Sequence, residues 1–247
     1  MRLESLPVEA TVDLLHHALL VGVRHFHSSI EYDSFKQFST SLTKACNRAE
    51  IAQEDIEHTV KLAEPNFNQT GFKPANIRET LDQYLNELKI NQVHTVQWML
   101  RGDLTDHGKR YSHFKSIESE LRQCVSDLKK NKSISKFTCF PYSSEIRKSL
   151  PGQDWCDGLI DYVNPLETDA SSMSSTLRDD QTLIGIRPFL PLTMKESELK
   201  NPLSFSDLVN HLKSVENLEA VIASSSSKKH LNQIVSELNS IDTVPLD

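Results

Sequence analysis

The sequence predicts an α/β protein, a barrel of parallel strands with helices outside, and three observations carry that expectation. Short segments with strand character alternate with one-sided helical stripes along the whole chain. The alternation repeats roughly every 25–45 residues, which suits a (β/α) barrel better than an open sheet. The chain has 247 residues, 38% of them apolar, enough for one large core without a second domain.

The strand segments are 23–28 (VRHFHS), 56–62 (IEHTVKL), 93–100 (VHTVQWML), 134–140 (ISKFTCF), 158–163 (GLIDYV), 183–189 (LIGIRPF) and 218–223 (LEAVIA). Helical stripes are clearest at four places: Val8, Val12, Leu15 and Leu19; Ile77, Leu81, Tyr84, Leu85 and Leu88; Phe114, Ile117, Leu121, Cys124, Val125 and Leu128; and Leu231, Ile234, Val235, Leu238 and Ile241. An eighth strand would have to lie in Met1–Leu3, so the first strand is expected to be a stub or to precede this sequence. No linker divides the chain, and the serine-rich pieces at 171–175 and 224–227 are short, so residues 1–247 read as one domain.

Composition excludes several functions. The net charge of −7, with lysines and glutamates interspersed, provides no concentrated basic face for a nucleic acid. Cys46, Cys124, Cys139 and Cys156 lie far apart with no CxxC spacing, as expected of reduced core thiols, and suggest no zinc site. Glu4, Glu9 and Asp13 interrupt the N-terminal apolar pattern, and no later apolar run is long enough to span a bilayer, so a soluble, cytoplasmic protein is expected, with no membrane partner. With seven glycines in the chain, neither GxGxxG nor GxxxxGK[ST] occurs; a nucleotide, if bound, is held without a Rossmann loop or a P-loop.

In a (β/α) barrel the chemistry sits at the C-terminal ends of the strands. There the stretch Gly22-Val-Arg-His-Phe-His27-Ser-Ser-Ile-Glu-Tyr32-Asp-Ser resembles the aldo-keto reductase signature G-x-x-x-F/I-D-T-A-x-x-Y-G, with Tyr32 at the catalytic tyrosine and His27 at the aspartate. The resemblance continues in order along nearly the whole chain. HTVKL resembles the strand ending in the catalytic lysine, here Lys61. NIRETLDQYLNELKINQVHTVQWML resembles the segment leading to the catalytic histidine, where Gln97 is kept and Met99 replaces the histidine. ISKFTCFPYSSEI places Phe140 and Pro141 at the Ser-Asn pair that holds the nicotinamide carboxamide. DYVNPLE retains Asn164 but has Ile160 in place of a glutamine. GIRPFLPL, with Arg187, resembles the seventh strand. AVIASSSSKKHLNQIV resembles the turn and helix start that hold the adenosine phosphate of NADP.

The resemblance implies a (β/α)8 TIM barrel of aldo-keto reductase type and an NADP-dependent oxidoreductase that reduces an aldehyde or ketone with a depleted site. Tyr32 would donate the proton and Lys61 would ease its loss, since a free phenol titrates near pH ~10. His27, Trp98 and Met99 would line the substrate pocket; Asn164, Arg187, Ser226, Ser227, Lys228 and Lys229 would contact NADPH, the last four offering hydroxyls, free N–H groups and positive charge to its phosphate. A protonated His27 would repel Lys61. The substitutions equally fit a catalytically silent barrel with a protein partner or a small ligand, and a sugar or polyol bound among His27, Trp98 and Arg187 is a third reading.

Plainer readings stand beside these. A strand tryptophan such as Trp98 can face outward against a helix, and Met99 can be a pocket filler. By composition SSSSKK is a solvated turn and helix cap. Residues 101–113 (RGDLTDHGKRYSH) read as a solvated loop at a strand end rather than a metal site.

Overall fold

The computed structural model describes residues 6–62, 73–100, 106–194 and 203–239. Seven parallel strands form one sheet in sequence order: β1 (His25–Ser28), β2 (Glu57–Leu62), β3 (Val93–Met99), β4 (Ile134–Phe140), β5 (Gly158–Tyr162), β6 (Thr182–Ile186) and β7 (Leu218–Ile222). Helix α1 (Val8–Leu20) precedes β1; α2 (Phe35–Ala49), α3 (Pro74–Leu88), α4 (His107–Lys130), α5 (Ser144–Ser149), α6 (Asp169–Met173) and α7 (Phe205–Lys213) lie between the strands, and α8 (Lys228–Asn239) follows β7. Among the described residues β1 pairs with β2 alone and β7 with β6 alone, so no ladder joins β7 to β1, and the seven strands form a nearly closed barrel. Outside the sheet α1 and α8 meet, His17 Nε2 lying 2.7 Å from Asn232 Oδ1. Met1–Leu3, the expected place of an eighth strand, lies outside the described residues.

The main core is the layer between strands and helices. Alternation along each strand sends Val60 and Leu62, Val96 and Trp98, and Phe137 and Cys139 toward the helices. There they meet Ile77, Leu81 and Leu88 of α3 and Phe114, Leu121 and Val125 of α4 in one buried cluster. The other set, Thr59, Thr95, Gln97 and Thr138, is buried inside the barrel. Its hydroxyls bond within the wall, as when Thr138 Oγ1 donates to the Val96 carbonyl at 2.7 Å. At the start of β5 a side chain on Gly158 would meet the Thr182 carbonyl oxygen at 1.9 Å, so only glycine allows β5 and β6 to approach there.

Three expectations change. The strand expected over 183–189 ends at Ile186, because Arg187 takes a left-handed conformation (φ 55°) and Pro188 has no N–H for the ladder. Residues 107–113 are not loop: Asp106 caps α4 by accepting from the Lys109 N–H at 2.8 Å, and the helix runs from there. Val8, placed on the buried stripe of α1, is 43% exposed. Ile241 and residues 101–105 lie outside the described residues. Among those described, no helix is long and apolar enough to cross a membrane.

Candidate active site

Tyr32 and Lys61 are brought together at the C-terminal ends of β1 and β2. The Lys61 ammonium lies 5.0 Å from the centroid of the Tyr32 ring, and its direct partner is Glu31, with Nζ 3.0 Å from Oε2. The carboxylate beside the lysine therefore comes from the turn after β1, not from His27. The Lys61 side chain is 17% exposed and that of Glu31 36%, so the pair sits at the rim of the barrel. Tyr32 is exposed and also borders a cleft of about 590 Å³ between its own turn and α3, lined by Glu31, Asp33, Lys36, Gln83 and Glu87 among others.

Tyr84 fixes this arrangement from beneath. The Tyr84 hydroxyl donates to the Lys61 carbonyl at 2.7 Å and accepts from the Ile30 N–H at 2.7 Å. One buried side chain on α3 thus ties the end of β2 to the turn that carries Glu31 and Tyr32. Burial pushes the Tyr84 phenol up to about 12, so it stays a neutral hydroxyl able to donate and accept at once. The residues missed by the sequence reading are Glu31 and Tyr84. Glu31 stands next to Tyr32 in the signature, but the family pattern has its carboxylate at the position His27 fills; Tyr84 reads as one more apolar stripe position.

Inside the barrel His27 Nε2 lies 2.7 Å from Gln97 Oε1, and Gln97 Nε2 donates to the Met99 sulfur at 3.2 Å. Although part of its surface meets solvent, His27 is set within the wall, and burial pushes its pKa down to about 4, with Lys61 and His25 adding to the effect. It is neutral at pH 7, so the repulsion of Lys61 expected from an imidazolium does not arise. Its Nε2–H then donates to the Gln97 amide oxygen.

Next to this polar pair the mouth is apolar. Met99 and Phe140, register partners on β3 and β4, pack with Tyr142, Tyr162 and Ile186. The Phe140 ring lies 4.4 Å from Tyr142 and 5.1 Å from Tyr162, and the Arg187 guanidinium covers Tyr162 at 4.4 Å. Met99 is thus a filler in this cluster, at the end of a polar chain from His27.

Trp98 is not at the mouth. It is fully buried on the helix side of β3, its ring 5.9 Å from Phe137, because it alternates with the inward pair Gln97 and Met99. Asn164 is also fully buried, and its amide is engaged: Nδ2 donates to Glu167 Oε2 and the Arg187 carbonyl, while Oδ1 accepts from the N–H groups of Leu166 and Glu167. Contact with a carboxamide there would require breaking one of these bonds. Arg187 leaves 54% of its side chain exposed and has Glu167 Oε1 at 3.9 Å.

At the far rim, Ser227 caps α8, its hydroxyl accepting from the His230 N–H at 3.2 Å, while Ser225 Oγ donates to the Ser227 carbonyl at 2.8 Å. Ser226, Lys228 and Lys229 are exposed around this helix start. The turn before α8 thus carries hydroxyls, first-turn N–H groups and two ammonium groups, whereas the positions expected to hold a nicotinamide are filled by Phe140, Pro141, Ile160 and an engaged Asn164.

No protein-family model matches the chain, and no curated protein matches it in sequence. Solved structures match its fold. A Pseudomonas aeruginosa protein assigned to the aldo-keto reductases superposes with a TM-score of 0.69 at 14% identity, covering 95% of this chain and 85% of that one. The aldo/keto reductase of Brucella melitensis gives 0.64 at 15% identity over 97% and 85%. The aldo-keto reductase of the silkworm Bombyx mori, complexed with NADPH, gives 0.64 at 16% identity over 98% and 76%. The class the fold defines is therefore the (β/α) barrel, and this chain's fold matches that of aldo-keto reductases.

Proposed function

We propose that this protein is an aldo-keto reductase-like oxidoreductase that uses NADPH to reduce an aldehyde or ketone. The observation that carries the reading is the Tyr32, Lys61 and Glu31 cluster at the ends of adjacent barrel strands. NADPH, when bound, supplies the hydride. Reduction then leaves charge on the carbonyl oxygen, which a phenol at the rim would protonate. The Tyr32 hydroxyl loses its proton to that oxygen, the lysine ammonium offsets the charge left on the phenolate, and Glu31 holds the lysine at the strand end. His27, neutral and hydrogen-bonded to Gln97, provides a polar wall rather than a charge. Loss of a histidine donor at Met99 costs on the order of 100-fold in rate, so slow turnover is part of the proposal. The Ser/Lys turn before α8 favours NADPH over NADH. A cytoplasmic setting accords with four free, buried cysteines.

A second reading has its own support. Met99, Phe140 and Tyr162 occupy the mouth as a packed cluster, and Asn164 has no amide valence to spare, as a barrel that binds a protein partner or small ligand without redox chemistry would have. Titration of the purified chain with NADPH and NADH, followed by tryptophan quenching and cofactor fluorescence, separates the two. Micromolar NADPH binding, tighter than NADH, is expected; no binding at millimolar cofactor would sink the reductase and leave the second reading.

A further inference from the structure

The starts of the strands, at the opposite end of the barrel from Lys61 and Met99, carry a second cluster that the reductase chemistry leaves unused. His25 opens β1, Glu57 opens β2, and the ladder sets them side by side; His94 is the second residue of β3. His25 Nδ1 lies 3.5 Å from one Glu57 oxygen, Oε2, and His94 Nε2 lies 3.5 Å from the other, Oε1. One donor atom from each residue falls within 4.8 Å of the other two. The rings stand edge to face with centroids 5.1 Å apart.

The remaining ring nitrogens are held by hydroxyls: His25 Nε2 is 2.7 Å from Thr59 Oγ1, and His94 Nδ1 is 2.8 Å from Thr95 Oγ1. Each imidazole is thereby oriented with its other nitrogen toward Glu57. A gap of 3.5 Å is too long for a good N–H···O bond, which spans about 2.7–3.2 Å. It is close to the edge of a tetrahedron whose arms are metal bonds of about 2.1 Å, roughly 3.4 Å. The two histidines meet different oxygens of Glu57, and with one donor atom from each residue within 4.8 Å of the other two, a small cation could bridge all three.

We propose that His25, Glu57 and His94 bind one divalent transition-metal ion of the zinc class, with water completing its coordination. Two imidazoles and one carboxylate suit such ions, whereas magnesium and calcium call for all-oxygen sites. Thr59 and Thr95 hold the second ring nitrogens, the part that outer-shell groups play at metal-bound histidines. Lys136 is bound by both oxygens of Glu219 at 2.6 and 2.7 Å, so its charge is already paired. Half-exposed Glu57 gives the ion a way in. The site joins the three strands at the barrel's β1 edge, and it lies roughly 13 Å along β2 from Lys61, so its role is to staple that edge.

The test is calorimetric titration of chelator-treated full-length protein with zinc chloride, with cobalt(II) absorption and the metal-induced shift in Tm as further readouts. One zinc per chain, tetrahedral-type cobalt bands in the visible and a raised Tm are expected. His25→Gln, His94→Gln and Glu57→Gln should each abolish the bands, and Thr95→Val, which keeps all three ligands, should weaken zinc roughly tenfold. Glu57 is half-exposed, so Glu57→Gln keeps the test available if a histidine variant does not fold. NADPH titration should be unchanged in Glu57→Gln, which separates this site from the proposed active site. No saturable zinc binding, or stoichiometric binding that persists in the His25→Gln/His94→Gln double variant, would overturn the proposal.

Discussion

The Lys61 ammonium is held 3.0 Å from the Glu31 carboxylate while lying over the Tyr32 ring, so a turn rather than a strand supplies the negative charge beside the lysine. The sequence at the strand end has a histidine where a carboxylate would be sought, and the fold supplies one from four residues further on. A lysine fixed in this way needs little rearrangement to serve a reacting oxygen.

If Tyr32 is the proton donor, Tyr32→Phe should lower carbonyl reduction by at least about 100-fold while leaving NADPH affinity within a fewfold. Glu31→Gln should lower kcat by a smaller factor that depends on ionic strength. Steady-state rates and a parallel cofactor titration check both; unchanged turnover in Tyr32→Phe removes its role as acid.

Tyr84 has a structural consequence that is independent of any activity. Tyr84→Phe leaves the Ile30 N–H and the Lys61 carbonyl without their partner, at a cost of about 1–3 kcal/mol, and loosens the turn bearing Glu31. Urea unfolding measures the loss in stability.

Replacing Lys228 and Lys229 by alanine should weaken NADPH more than NADH, because only NADPH carries the phosphate that a helix start with two ammonium groups would hold. Equal losses for the two cofactors would dissociate the Ser/Lys turn from phosphate binding.

Acid should destabilise the fold through buried histidines. Burial pushes both His27 and His58 down from 6.5 to about 4, and His58 Nδ1 has no hydrogen-bond partner among the described residues. Between those values the unfolded chain binds more protons than the folded one, so stability is complete above pH 6.5 and is lost as pH falls toward 4. For His58, 2% exposed, the loss is on the order of 3 kcal/mol. Thermal unfolding across this window should show the slope, and His58→Leu should flatten it.

Much of the fold was legible because it depends on local pattern. Seven apolar segments separated by helical stripes became seven strands in sequence order, since a parallel ladder needs a crossover after each strand and leaves few other arrangements. Tyr32 and Lys61 stand out in the sequence through the resemblance of their segments to aldo-keto reductase motifs, and the fold sets them side by side. The end of the sixth strand is not legible because left-handed Arg187 gives no sign in composition, and the start of α4 reads as loop because its first turn is polar.

The sequence by itself determined which residues form strands and helices and which stand at strand ends, because periodicity, caps and turn residues act between near neighbours. Only the tertiary structure decided what those ends meet. Curling the sheet brings Glu31 to Lys61, directs Trp98 to the helices while Met99 closes on Phe140 and Tyr162, and gathers His25, Glu57 and His94 from three strands at the barrel floor. These are contacts between distant segments, fixed by strand register and side-chain alternation across the barrel.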